Sequence, residues 1–329
     1  MLQKMDIKIL INMKKYLKYN FFFKKNINRI ITMKSNNKDI ENIHDCYREA
    51  GKIHKKVMNE AKKNIKIGMS LLSIVTSIEE NIEKYGGKCA FPVNISINEQ
   101  AAHYTPFIND SNIINENDII KLDIGVHING YIADGAQTIA FNNKNIDLIK
   151  SSQNALMSAI DIVKSGTKIS NIGSIIEETI VNNGYKPIKN LMGHGLDQYV
   201  AHADPSIPNF NNGNNEKLIE GQVIAIEPFA TNGNGYVSDS SFKNIYSQVK
   251  LKPTRVSFIR NILKKIESYY GLPFTTRWIK LEKVLFALNQ LEKEGILIGY
   301  PGLVEKKDSF VSQTEHTMIV HEWGAEIIT

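Results

Sequence analysis

Cysteine is nearly missing from this 329-residue chain, with Cys46 and Cys89 its only two. Two thiols cannot build the disulfide framework that stiffens small secreted folds, so a reducing cytoplasm is the expected setting. Long apolar runs are missing too, and no stretch is apolar enough to span a bilayer. The body of the chain also lacks net charge. Residues 1–32 hold eight Lys/Arg against one acid and so carry +7 of the overall +6, leaving −1 for the remainder. A nearly neutral body speaks against a general nucleic-acid binder, and DNA is not an expected partner.

The basic residues 1–32 are rich in Lys, Asn, Ile and Phe, without an apolar signal core or a small-residue cleavage site. Three readings stand side by side: an upstream extension with true initiation at Met33, a basic tail for a ribosome or membrane surface, or an organellar transit peptide in which Ser and Arg are scarce. No fold is expected there. With 42% hydrophobic residues the rest can bury a large core, as one domain with an insertion or as two domains.

The most informative stretch runs from Lys121 to Asp134. Leu122, Ile124, Val126 and Ile128 alternate with Lys121, Asp123, Gly125 and His127, the period-2 pattern of a strand with one buried face. Asn129-Gly130 supplies a two-residue turn that tolerates positive φ at both positions. A hairpin closed there sets residue 128 opposite 131 and residue 125 opposite 134. Asp134 then becomes the diagonal neighbour of Asp123 on the same face. Two carboxylates so placed repel unless a cation lies between them; taken alone, the hairpin reads more simply as a solvated polar face.

Further on come His194 in Met-Gly-His-Gly, Glu227 in Ile-Glu-Pro-Phe and Glu315 in Thr-Glu-His-Thr. Both glutamates lie in apolar, β-prone runs, where a charge is costly to bury without a partner. Four carboxylates and one neutral imidazole carry formal charge −4, which balances two divalent cations. An oxygen-rich set with one nitrogen suits Mn, Fe, Co or Zn rather than a thiolate structural site. Two such ions activate water for hydrolysis. His103 and His202, each preceded by Ala, are assigned to gripping a substrate amide and protonating its leaving nitrogen. His44, His54, His127, His316 and His321 are read as surface or supporting histidines.

The chain also matches itself at an offset of 98. Ser73–Lys88 lies over Asn171–Lys186 with seven of sixteen positions identical, each copy an amphipathic helix closed by a glycine cap. Each copy leads, 15 or 16 residues after its last lysine, to an Ala-His. Two pseudo-symmetric halves facing one site are expected.

The segments Ala90-Phe-Pro-Val-Asn-Ile-Ser, Ala101-Ala-His-Tyr-Thr-Pro, Lys121-Leu-Asp-Ile-Gly-Val-His, Gly193-His, Ile226-Glu-Pro-Phe-Ala-Thr and Gln313-Thr-Glu-His-Thr resemble the methionine aminopeptidases of type 2, the archaeal and eukaryotic cytosolic class. The resemblance runs from about Met33 to Thr329. It implies a pita-bread α/β (α+β) fold of two pseudo-symmetric helix-strand halves. It also implies removal of initiator methionine from the N-terminal peptides of nascent proteins with a small second residue. By the same resemblance Asp123, Asp134, His194, Glu227 and Glu315 ligate a dinuclear centre, with Asp134 and Glu315 bridging. His103 and His202 would contact substrate, and Phe91 would wall the methionine pocket. Ala201 stands where a bulky aliphatic is the family habit and Asp204 where a glycine-like residue is, which puts pocket size in question. A prolidase or aminopeptidase P and a non-enzymatic ribosome- or RNA-associated relative are the competing readings. A monomer is expected.

Glu315 follows Glu227 by 88 positions, a long excursion between ligands that belong on neighbouring strands. Within it Ile259, Ile262, Leu263, Ile266 and Tyr270 have helical spacing, as do Leu281, Val284, Leu285, Leu288 and Leu291, and a strand-like Ile296-Leu-Ile follows. The expected organisation is a basic extension over 1–32, a catalytic domain over 33–329, and within it an insertion over 248–312. That insertion is read as two helices with a β-hairpin wing, serving as a lid over the cleft.

Overall fold

The computed structural model describes residues 37–329; the basic extension of 1–32 lies outside them. The first half runs α1 (Asn37–Asn64), α2 (Leu71–Lys84), β1 (Lys88–Cys89), β2 (Asn94–Ile97), β3 (Gln100–Ala102), β4 (Ile119–Ile128) and β5 (Tyr131–Ala140). The second runs α3 (Ile146–Ile162), α4 (Ile169–Asn182), β6 (Lys186–Pro187), β7 (Met192–Asp197), β8 (Val200–Pro208), β9 (Val223–Ile226), β10 (Phe229–Thr231) and β11 (Ser238–Gln248). There follow α5 (Ser257–Glu267), β12 (Phe274–Thr275), α6 (Val284–Lys293), β13 (Leu297–Val304), β14 (Val311–Gln313), β15 (His316–Val320) and β16 (Ala325–Ile327).

The internal repeat is structural. Helices α2 and α4 lie 98 positions apart, and both end with the same cap bonds, Gly87 N–H to Ile82 O and Tyr185 N–H to Ile180 O. Both begin the same way. Gly68 and Gly166 donate to Ile114 and Leu218, and Leu71 and Ile169 donate to Asn112 and Glu216. Those acceptors are 104 positions apart, and the same offset carries β4 onto β9 and Asp123 onto Glu227. Each half buries its own core, Leu122, Ile124 and Val126 of β4 against α1 and α2, and Ile224 and Ile226 of β9 against α3 and α4.

The hairpin forms in the expected register. Ile128 pairs with Tyr131 and Gly125 with Asp134, across a turn whose Asn129 and Gly130 have φ of 53° and 90°. The alternation predicts a strand with one buried face, and both are buried: the polar face of β4 is not solvated. Lys121 is 1% exposed and its Nζ donates to the Asn98 carbonyl at 2.6 Å. The face is covered by Asn98 and Phe91 of the first half and by β14 of the second, so sequence alternation here separates two buried faces instead of a wet one from a dry one.

The segment between Glu227 and Glu315 holds the two helices, around a core of Ile259, Ile262, Leu263, Ile266, Ala287, Leu288 and Leu291. Its details differ from the spacing argument. Tyr270 lies past the end of α5 and is exposed, and Leu281 and Leu285 face solvent, leaving Ala287 to complete the buried stripe of α6. The strand after the helices is not half of a local hairpin. It is β13, which pairs with β11 before the helices and with β3 of the first half and buries Ile296 and Leu297 at its start. No helix among the described residues is long and apolar enough to cross a membrane.

Candidate metal centre

Three strands and two breaks between strands bring the five expected ligands together. Asp123 and Asp134 come from β4 and β5, and His194 sits in β7, hydrogen-bonded to β9 through the pairing of His194 with Ala225. Close packing explains the flanking glycines: a Cβ at Gly193 would lie 2.3 Å from the Ala225 carbonyl oxygen. Glu227 and Glu315 sit at breaks between consecutive strands. The register pairs Ile226 with His316 and Phe229 with Gln313, which sets Glu227 opposite Glu315 across the two strands. The 88-position excursion therefore returns the chain to a neighbouring strand.

One ligand atom each from Asp134, His194 and Glu315 lies within 4.8 Å of the others, and all three side chains are buried. His194 Nε2 stands 3.8 Å from Asp134 Oδ2, too far for a hydrogen bond and wide enough for a cation to lie between them. Asp123 Oδ1 and Asp134 Oδ1 are buried and have no hydrogen-bond partner among the described residues. Unpaired buried carboxylate oxygens are what a divalent ion would satisfy.

Electrostatics agree. Burial, then the Asp123 and Glu227 charges, raises the pKa of Asp134 well above the usual carboxylate value. Burial pushes Asp123 up to about 7, while Gln313 works against the rise by hydrogen bonding. Glu227 is raised by burial and Asp123, and Glu315 by burial and by Asp134, Glu227 and Asp123. Burial and the neighbouring His202 lower His194, keeping the imidazole neutral as a ligand must be. The donor set fits divalent metal in charge, chemistry and burial.

His202 meets His194 edge to face, their ring centres 4.5 Å apart. Solvent reaches His202 along the cleft, yet enough protein surrounds its ring that burial, aided by His103, draws its pKa down to about 4. His103 adopts φ of 62°, stands 6.0 Å from the Tyr300 ring, and leaves Nδ1 without a partner among the described residues. Ala201 and His202 line a cavity of about 40 Å³ together with Tyr300 and Ser247. Phe91 lies on Gly125, opposite Asp134 in the hairpin; a Cβ on Gly125 would sit 2.2 Å from the Phe91 ring. Asp204 is in β8 with its carbonyl against Gly195.

Sequence reasoning missed three contributors. Tyr300 had no motif to mark it, although an aromatic just beyond the strand-like Ile296-Leu-Ile was a usable signal. Gln313 donates to Glu227 Oε2 at 3.3 Å. Thr317 brackets Asp134 from the other half. Of the histidines read as supporting, His54 is buried with Nε2 3.1 Å from the Gly135 carbonyl, directly behind Asp134.

Residues 45–278 match the model of metallopeptidase family M24. The chain is 46% identical over 282 residues to a methionine aminopeptidase of Archaeoglobus fulgidus, covering 85% of this chain and 96% of that one. It is 36% identical over 309 residues to methionine aminopeptidase 2 of Candida dubliniensis, covering 86% and 68%. Its fold matches the crystal structure of a methionine aminopeptidase from Rickettsia prowazekii with a TM-score of 0.65 at 22% identity, over 88% of this chain and 97% of that one. By this family match and these relatives, the chain belongs to metallopeptidase family M24 and, within it, to the methionine aminopeptidases.

Proposed function

We propose that this chain removes N-terminal methionine from peptides whose second residue is small, using two divalent metal ions held by Asp123, Asp134, His194, Glu227 and Glu315. The observation that carries the reading is the convergence of Asp134, His194 and Glu315 ligand atoms within 4.8 Å, with Asp123 and Glu227 electrostatically linked to them. Two ions of the Mn, Fe, Co or Zn class balance the four carboxylates and, when bound, polarise the first peptide carbonyl and acidify water. Glu227 accepts the proton given up as water adds to that carbonyl. His202 hydrogen-bonds the scissile amide. His103 stabilises the tetrahedral centre or assists the departing nitrogen. Phe91 and Ala201 bound the methionine side chain, and crowding by His202 limits the second residue. The reading places residues 248–312 as an insertion within a catalytic domain of 33–329. The helices of that insertion and the resemblance to the Candida enzyme support the type 2 class. It further takes nascent chains as substrates, near the ribosome, for a cytoplasmic monomer; the free thiols Cys46 and Cys89 agree with a reducing setting.

The test is release of free methionine from Met-Ala-Ser after metal removal and titration with Mn, Fe, Co or Zn, with an Ala-Pro peptide as control. Metal-restored cleavage of the methionine peptide alone is the expected result. Cleavage of the proline peptide alone would move the chain to the prolidase branch, and inactivity on both with metal bound would overturn the peptidase reading.

A further inference from the structure

One buried ion pair joins the helical insertion to the first half of the molecule. Arg277, in the short 3-10 turn Thr276–Trp278 between α5 and α6, forms a two-pronged pair with Glu79 of α2, Nη1 to Oε2 at 2.8 Å and Nη2 to Oε1 at 2.9 Å. The side chains are 6% and 11% exposed. Such a pair is costly to desolvate and does little for stability by itself, so its other hydrogen bonds indicate what it is for.

Those bonds go to two particular stretches of backbone. Arg277 Nε donates to the Pro106 carbonyl at 2.9 Å and Nη2 to Thr105 Oγ1 at 2.8 Å. Asn244 of β11 holds the same loop, donating to the Thr105 and Pro106 carbonyls at 3.1 and 2.9 Å, and itself accepts from Thr276 Oγ1 at 2.6 Å. The loop begins two residues after His103, whose φ of 62° a non-glycine residue keeps only when its surroundings impose it. Glu79 meanwhile accepts from the Val93 N–H at 3.3 Å, two residues after Phe91, and from Trp278 Nε1 at 2.9 Å.

We infer that Glu79 and Arg277 are positioning residues for substrate: the pair ties the backbone beyond His103 and beyond Phe91 to the insertion, so that the insertion sets the orientation of both side chains. The inference rests on the methionine-releasing reading of the site. Arginine is needed because four of its five N–H donors are engaged in fixed directions, which an ammonium cannot reproduce.

The test is kinetic and spectroscopic. Arg277→Gln is expected to lower kcat/KM for Met-Ala-Ser by about 10- to 100-fold through misplacement of groups it does not itself present to substrate, with metal content unchanged. Arg277→Lys, which keeps the charge and loses the fork, is expected to fall close to Arg277→Gln. In a His103→Ala background the further loss of kcat on adding Arg277→Gln should shrink to less than about twofold, because the kcat part of the effect acts through His103, while a rise in KM carried by Phe91 should persist. The His103 imidazole resonances should also move in Arg277→Gln, a readout independent of turnover. Should Arg277→Gln fail to fold, Glu79→Gln is read in the same assays. Full activity of these variants, equal losses with and without His103, or loss of metal in step with activity would overturn the inference. A wild-type protein that releases no methionine would instead overturn the functional reading.

Discussion

Thr317 Oγ1 accepts the Asp134 N–H at 2.8 Å and donates to the Asp134 carbonyl at 2.8 Å, so one hydroxyl from the second half satisfies both backbone groups of a proposed ligand in the first. The relation is reciprocal. Thr138 Oγ1 of the first half accepts from the Gln313 N–H at 2.8 Å and donates to its carbonyl at 2.7 Å. Between them Glu315 N–H donates to the Ala136 carbonyl at 2.9 Å. The halves meet along this seam. Thr317→Val keeps the shape and removes the hydroxyl, leaving two buried backbone groups unpaired at about 1–3 kcal/mol each. Metal affinity should fall about 10- to 100-fold, as for other supports behind a ligand. Calorimetric metal titration and thermal melting check both.

Asp134 faces all four of the other expected ligands. Asp134→Asn should abolish turnover, by more than about 100-fold, since it removes a proposed ligand and not merely a ligand's support. Bound metal should drop by half. Elemental analysis alongside methionine release decides it; full activity with normal metal content would remove Asp134 from the centre.

The pH dependence of metal binding follows from the direction of the carboxylate shifts. Asp123 is pushed up to about 7, and burial and mutual repulsion raise Asp134, Glu227 and Glu315. Each then holds a proton in the metal-free fold at pH values where the unfolded chain has lost it. A raised carboxyl stabilises the fold at low pH, and that contribution is lost as pH climbs from the unfolded value of about 4 toward the folded one. His54 and His103, lowered to about 4, slope the other way, losing stability as pH falls below about 6.5. They drop out of the difference between loaded and metal-free protein. That difference in Tm should widen from about pH 6 to about pH 8, and metal binding should release more protons at the lower pH. Titration calorimetry in two buffers of different ionisation enthalpy counts them.

Ala201 borders the small cavity that His202 and Tyr300 also line. Ala201→Leu would fill it, and kcat/KM for methionine relative to norleucine peptides should shift by about 10-fold or more, the worth of a methylene or two in an apolar pocket. Metal content should stay the same. Unmoved selectivity would place Ala201 outside the pocket.

Gly125 is a matter of space. A methyl there meets the Phe91 ring at 2.2 Å, so Gly125→Ala should cost about 1–3 kcal/mol of stability through overpacking and raise KM for methionine peptides by displacing Phe91. Urea melts and steady-state kinetics separate the two effects.

The sequence by itself determined the local geometry. Alternation, an Asn-Gly turn and a two-residue side-chain period were sufficient to place Asp134 beside Asp123, because hairpin register depends only on the turn. Duplication was legible for the same reason, a helix with its caps being a local object, and the five proposed ligands stood in motifs with family-specific spacing. The tertiary structure decided what lay far apart in the chain. It buried the polar face of β4, since alternation cannot tell one dry face from two. It set Glu227 opposite Glu315 across an excursion whose length says nothing of where it returns. It exposed Leu281 and Leu285, because a helical stripe is amphipathic whichever partner it finds. And it brought Thr317 to Asp134 and Arg277 to Glu79, contacts made by single side chains from distant segments, for which no local pattern exists.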